Sequence, residues 1–262
     1  MFGKIIDTIY IKYQQSYLQV AKNIIFNKQI INPHLLVDRI DQINYKELER
    51  LGIRCIVFDK DNTLTKHLKN GYFDQQIQNK IVNLQKQNSF NGHIYLFSNG
   101  LYKLKEENVD QLSKELQNIK ILFKDLNGNK INKKPFNFRQ IYEYVNYLNQ
   151  NNSFNLQNTP SNINDSKSQK QQNDNKDSQY DIIQPHQIAF IGDRMFTDVF
   201  VSNMNGCFSI LTKPFSNENE SLGIRFCRLL ENFYLDKIFQ ENRITHNKYK
   251  NANIQNLIIN KE

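Results

Sequence analysis

Three short apolar runs in this chain each stop at a polar residue, and that repeated pattern constrains the fold more than any other feature of the sequence. Cys55-Ile56-Val57-Phe58 ends at Asp59, Ile94-Tyr95-Leu96-Phe97 ends at Ser98, and Ile188-Ala189-Phe190-Ile191-Gly192 ends at Asp193. Such runs are too short for buried helices and lack the alternation of a half-exposed strand, so they read as strands covered on both faces. Strands are expected near 53–58, 93–98, 119–123, 187–191 and 207–210, alternating with helical patterns near 75–87, 103–117, 136–148, 197–204 and 219–239. This is the pattern of an α/β chain, a Rossmann-like doubly wound parallel sheet of about five strands. The carboxyl ends of the strands in such a sheet line one crevice, so Asp59, Ser98 and Asp193 are expected to meet there.

Asp59-Lys60-Asp61-Asn62-Thr63 sets two carboxylates two residues apart in the turn after the first run. Both could simply solvate an acidic turn. The chemical alternative is phosphoryl transfer, in which Asp59 attacks phosphorus while Asp61 protonates the leaving oxygen and then activates water. Ser98-Asn99-Gly100 offers a hydroxyl and backbone amides to phosphoryl oxygens, or is an ordinary turn. Lys133-Lys134-Pro135 opens a helical pattern and can fix one ammonium beside developing negative charge, or is a solvated lysine pair.

The third run leads into Gly192-Asp193-Arg194-Met195-Phe196-Thr197-Asp198, again a strand ending in acid. A phosphomonoester dianion meeting an ionised Asp59 needs a divalent cation between them. Magnesium prefers a few hard oxygens and keeps waters, so Asp59, the backbone carbonyl of Asp61 and Asp193 would serve as its protein ligands. Asp198 is placed to orient Lys134 or a metal-bound water. Cys55, Cys207 and Cys227 are scattered, and the five histidines show no paired ligand spacing, which argues against zinc.

The four motifs, in this order, resemble the haloacid dehalogenase superfamily of aspartate-nucleophile phosphatases. More narrowly, Asp59-Lys60-Asp61-Asn62, Lys133-Lys134-Pro135, the segment from Gly192 to Asp198, Ser202-Asn203 and Gly206 are similar to the mitochondrial phosphatidylglycerophosphate phosphatases, as is Asn32-Pro33-His34-Leu35-Leu36 ahead of the first run. The resemblance spans roughly residues 30–235 and implies a magnesium-dependent phosphatase with a phospholipid substrate, peripheral on the matrix face of the mitochondrial inner membrane. Two departures stand out: Ser98-Asn99-Gly100 runs directly into Leu101-Tyr102, and Phe136 follows Pro135 where the family has glycine. Of the two lysines, Lys134, next to the proline, is expected to reach the phosphate, with Lys133 in support. The same motifs would serve a phosphatase for soluble metabolites, nucleotides or phosphoproteins, and a non-catalytic membrane adaptor could keep the fold.

Linker lengths narrow the architecture, because neither the stretch from Thr63 to the next strand nor that from Ser98 to Lys134 can hold a large cap domain. From Asn149 to Tyr180, 20 of 32 residues are Asn, Gln or Ser, a composition too poor in apolar side chains to pack, so a low-complexity disordered insertion is expected over 149–180. The phosphatase domain is thus read as 31–240, interrupted by that insertion, with a basic tail at 241–262. Ahead of it, residues 1–30 carry Ile5, Ile9, Tyr13, Tyr17, Val20 and Ile24 at helical spacing among lysines, which suits an amphipathic helix on a membrane surface, an import segment, or packing against the core.

The net charge is +8, and between Lys120 and Arg139 six basic residues face one acid, Asp125. Such a field favours an anionic substrate or an anionic membrane surface. Nucleic acid is not an expected partner, since no zinc finger, RNA-recognition sequence or recognition helix accompanies the charge. No run of about eighteen apolar residues exists to span a bilayer.

Overall fold

A computed structural model describes residues 22, 27–134, 137–157, 182–216, 220–237, 248–249 and 252–259. Six strands form one all-parallel sheet in the order β1-β6-β5-β2-β3-β4. They are β1 (Leu35–Val37), β2 (Cys55–Phe58), β3 (Ile94–Leu96), β4 (Lys120–Ile121), β5 (Ile188–Gly192) and β6 (Phe208–Thr212). The five strands read from the sequence are all present, and the sheet has one more. β1 is only three residues long and follows Asn32-Pro33-His34, so it carries no periodicity of its own. It forms by pairing Leu35 with Ile210 at the sheet edge.

Strand pleating divides the core in two. Ile56, Phe58, Leu96, Ile191 and Phe208 face one side. There they meet α1 (Tyr45–Arg50), α2 (Gln75–Lys86) and α3 (Glu106–Glu115), through residues such as Leu48, Ile81 and Leu112. Cys55, Val57, Tyr95 and Phe190 face the other side, against Ile141 and Val145 of α4 (Phe138–Gln157). Alternate residues of a single strand therefore feed opposite layers, which is why β2 and β5 are buried along their whole length. Asp74 starts α2 by accepting a hydrogen bond from the Ile77 amide at 3.0 Å, and Asn44 does the same for α1 from Glu47.

After β5 a π-helical turn (Met195–Val199) continues into α5 (Phe200–Met204), and α6 (Leu222–Lys237) closes the described chain on that side. α4 runs to Gln157, so the low-complexity segment is helical over 149–157 rather than disordered from its first residue. Asn and Gln are tolerable helix residues, and a helix anchored by Ile141 and Val145 extends through them. Residues 158–180, the remainder of the expected insertion, lie outside the described residues, as does the amphipathic segment 1–26 apart from Lys22. Within the basic tail, Leu257 is fully buried, and Ile258 bridges Ile43 in antiparallel fashion. Among the described residues no helix is long and apolar enough to cross a membrane.

Candidate active site

β2 carries its ladder one residue past its end: the Asp59 amide donates to the Ile191 carbonyl at 2.8 Å, holding Asp59 at the mouth of the central strands. The chain then turns back on itself. Lys60, only 6% exposed, donates to Asp61 Oδ1 and to the Lys69 carbonyl, both at 2.7 Å, so one ammonium ties the loop 60–69 together. The Leu68 amide adds a second donor to Asp61 Oδ1 at 3.0 Å. Asp61 Oδ2 points toward Gly100, where an added Cβ would lie 3.3 Å away. The second carboxylate thus faces the Ser98-Asn99-Gly100 turn after β3. Ser98 is buried and its hydroxyl caps that turn by accepting from the Gly100 amide at 3.4 Å.

Lys134 is the centre of the arrangement. Its Nζ donates to Asp59 Oδ1 and to Asp198 Oδ1, each at 2.5 Å, with the side chain 3% exposed and the ammonium 5.6 Å from the Phe97 ring centroid. Asn99 holds the backbone beneath it, accepting from the Lys134 amide at 2.7 Å. Asn99, named in the sequence reading for phosphate binding, thus uses its side-chain oxygen to position the lysine. Lys133 points elsewhere, its ammonium 5.1 Å from the Tyr102 ring centroid. Asp198 is fixed by the Arg194 amide on Oδ2 at 3.2 Å and rests on Gly192. A Cβ on Gly192 would fall 2.3 Å from Asp198 Cγ, so glycine is required there by contact rather than by backbone angle.

Asp193 does not join that lysine. It pairs with Arg228 of α6, which also donates to the Asp193 carbonyl at 3.3 Å and to both oxygens of Glu220 at 2.7 and 2.8 Å. Asn62 Nδ2 donates to Glu220 Oε1 at 3.1 Å, joining the loop after β2 to the same cluster. Sequence reasoning missed Arg228, Glu220 and Lys60. Only Lys60, inside the Asp-x-Asp motif, had a local signal.

Among the described residues five carboxylates (Asp59, Asp61, Asp193, Asp198, Glu220) are thus gathered around three ion-paired cations (Lys60, Lys134, Arg228), with Arg194 also acting on Asp193. Burial, only partly offset by Lys134 and reinforced by Asp198, Asp193 and Asp61, pushes the Asp59 carboxyl up to about 8. Burial likewise raises Asp193 to about 7 against the opposing pull of Arg228. Lys134 is raised above the ordinary lysine range: burial disfavours its charge, but Asp198 and Asp59 outweigh it. Among the described residues no three His, Cys, Asp or Glu side chains converge as a ready metal cage. A site of two carboxylates and one backbone carbonyl falls short of that count, and its hard oxygens are the donor type that suits a divalent cation such as magnesium.

Beyond Asp193 opens a cavity of about 710 Å³ between α6 and the ends of β1 and β6, walled by Leu36, Leu211, Thr212, Lys213 and Leu235.

The model of the mitochondrial PGP phosphatase family matches residues 16–163 and 171–215, which contain Asp59, Asp61, Ser98, Lys134, Asp193 and Asp198. The chain belongs to that family. A curated relative, phosphatidylglycerophosphate phosphatase 1, chloroplastic/mitochondrial, of Arabidopsis thaliana, is 22% identical over 212 residues, 79% of this chain and 48% of the relative. The chain thus spans about half the length of the relative it matches. No solved structure matches it. Glu220 and Arg228, which clamp Asp193, lie beyond the residues that the family model matches.

Proposed function

We propose that the chain is a magnesium-dependent phosphatase hydrolysing phosphatidylglycerophosphate to phosphatidylglycerol and phosphate through an aspartyl phosphate on Asp59, peripheral on the matrix face of the mitochondrial inner membrane. The observation that carries the chemistry is Lys134 held between Asp59 and Asp198, with Asp61 facing the Ser98-Asn99-Gly100 turn. Lys134 holds Asp59 Oδ1, leaving Oδ2 to form the bond to phosphorus as the phosphorus–oxygen bond to the glycerol breaks. Asp61 gives the departing alkoxide its proton. It then takes a proton from water, whose oxygen attacks phosphorus and frees Asp59 and inorganic phosphate. Ser98 and the amides of its turn, with Lys134, would bind the phosphoryl oxygens.

Magnesium, held by Asp59, the Asp61 carbonyl and Asp193, would supply the positive charge that lets the dianion approach. The lipid identity is supported by the family and by the relative's name. The test is phosphate release from detergent-dispersed phosphatidylglycerophosphate beside a panel of soluble phosphoesters, with Asp59→Asn as control. Uncatalysed monoester hydrolysis is so slow that loss of the nucleophile should abolish measurable turnover. Wild-type rates in Asp59→Asn would remove the mechanism, and a preference for soluble esters would remove the lipid.

A further inference from the structure

The helix that clamps Asp193 has a second face that no described residue covers. Leu222, Phe226, Leu229, Leu230 and Phe233 of α6 are 83, 61, 67, 45 and 60% exposed. At about 100° per residue these five fall within one arc of roughly 100°, the width of an apolar stripe built to be covered. The opposite arc anchors the helix. Arg228 binds Asp193 and Glu220, Glu231 accepts the Phe196 amide at 2.9 Å, and the Tyr234 hydroxyl donates to Asn32. The exposed stripe is therefore held rigidly outward, one helix diameter from the site.

Two other exposed side chains flank the same crevice. Leu68, 70% exposed and in the left-handed region at φ 59°, lies on the loop whose amide holds Asp61. A large apolar residue in that conformation, at a loop tip, costs the fold without contributing to its core. Tyr102, 42% exposed, follows the turn after β3 and lies beneath the ammoniums of Lys130 and Lys133. Each of the three elements follows or contacts the carboxyl end of a central strand, which puts them around the opening of one crevice. Exposed Lys66, Lys69, Lys130 and Arg225 accompany them.

The geometry points to this rim, with the outer face of α6 as its largest part, as the surface that docks on an anionic bilayer and places the site at the lipid head groups. This rests on the lipid-phosphatase reading. An apolar stripe with basic neighbours is complementary to acyl chains below and anionic head groups above. The cavity behind α6 is lined by Asp193 and Arg228, so the helix that carries the stripe also borders the acidic end of the site.

The experiment is sedimentation of the full chain with vesicles of phosphatidylcholine alone or mixed equally with phosphatidylglycerol, for wild type and a Phe226→Asp/Phe233→Asp variant. Both phenylalanines are exposed and lie on the arc of α6 away from Arg228, so the variant should melt with wild type and hydrolyse a soluble monoester at the wild-type rate. Wild type should bind the mixed vesicles, with the double variant weaker by roughly a hundredfold. Unchanged binding in the variant overturns the proposal. So does a wild-type dimer that the variant converts to monomer without lipid, which would make the stripe a contact between copies. A clear fall in melting temperature without lipid would show that the chain itself covers the stripe, and would overturn it too. Vesicle binding lost in the variant, from a wild type that releases no phosphate from phosphatidylglycerophosphate, would leave the surface standing and remove only the proposed activity.

Discussion

Replacing Arg228 with Met should cost more stability than any single surface change in this chain. The guanidinium is 7% exposed and meets both Glu220, 6% exposed, and Asp193, 5% exposed. Methionine keeps the unbranched stem and removes the charge, leaving two buried carboxylates without the cation that hydrogen-bonds both, although Arg194 still acts on Asp193 through space. Breaking a buried pair in this way costs about 3–5 kcal/mol, which for a domain of this size lowers the melting temperature by roughly 10 °C. The sign of the pH dependence follows from Asp193, whose carboxyl is already raised by burial to about 7, above its unfolded value near 4. A carboxyl raised in the folded state contributes fully below about pH 4 and loses that contribution as pH rises through its folded value. The deficit of Arg228→Met relative to wild type should therefore be largest at pH 8 and shrink toward pH 5. Melting curves of both proteins at the two pH values, with chelator present, measure it. A variant within about 2 °C of wild type at pH 8, or a deficit independent of pH, would refute the clamp.

Three further outcomes are expected. Gly192→Ala should push Asp198 away from Lys134, because the new Cβ would meet its Cγ at 2.3 Å; stability should fall by about 1–3 kcal/mol, and kcat by tenfold or more, in denaturant titration and a steady-state assay. His93, 3% exposed and 3.0 Å from the Tyr95 hydroxyl, is lowered to about 4 by burial, with Lys120 and Arg54 adding to it. Its contribution should be complete above about pH 6.5 and lost as pH falls to 4, up to about 3 kcal/mol, a slope that urea midpoints should show flattened in His93→Gln. Leu257→Ala should cost about 2–5 kcal/mol, since Leu257 is fully buried beside the Ile43–Ile258 bridge; a urea-derived loss under about 1 kcal/mol would mean that the tail does not dock.

What could be read in the sequence was whatever repeats locally. β2, β3 and β5 are unbroken apolar runs with a polar stop, and a parallel sheet turns such stops into neighbours, so Asp59, Ser98 and Asp193 were legible together with the crevice they line. β1 was not, because three residues carry no period and its structure comes from pairing with β6. The preference for Lys134 over Lys133 rested on the adjacent proline alone, and the Asn99 bond beneath Lys134 left no trace in the sequence. Arg228 and Glu220 left no spacing signal at all, since ion pairs between distant segments are set by how helices dock rather than by local order. An amphipathic reading of α6 would even bury the apolar stripe and leave Arg228 and Glu231 facing solvent, the reverse of what the fold does with them.

The edge pairing of β1 also has a consequence in time. His34 and Ser209, 175 residues apart, lock the edge through the Ser209 amide to His34 Nδ1 at 2.9 Å. A ribosome adding about 5–20 residues each second makes the first of these residues roughly ten to thirty seconds before the second. Through that interval the leading strand has no template to zip onto, and Leu35 and Val37 remain open to holdase chaperones until the last strand of the sheet has emerged.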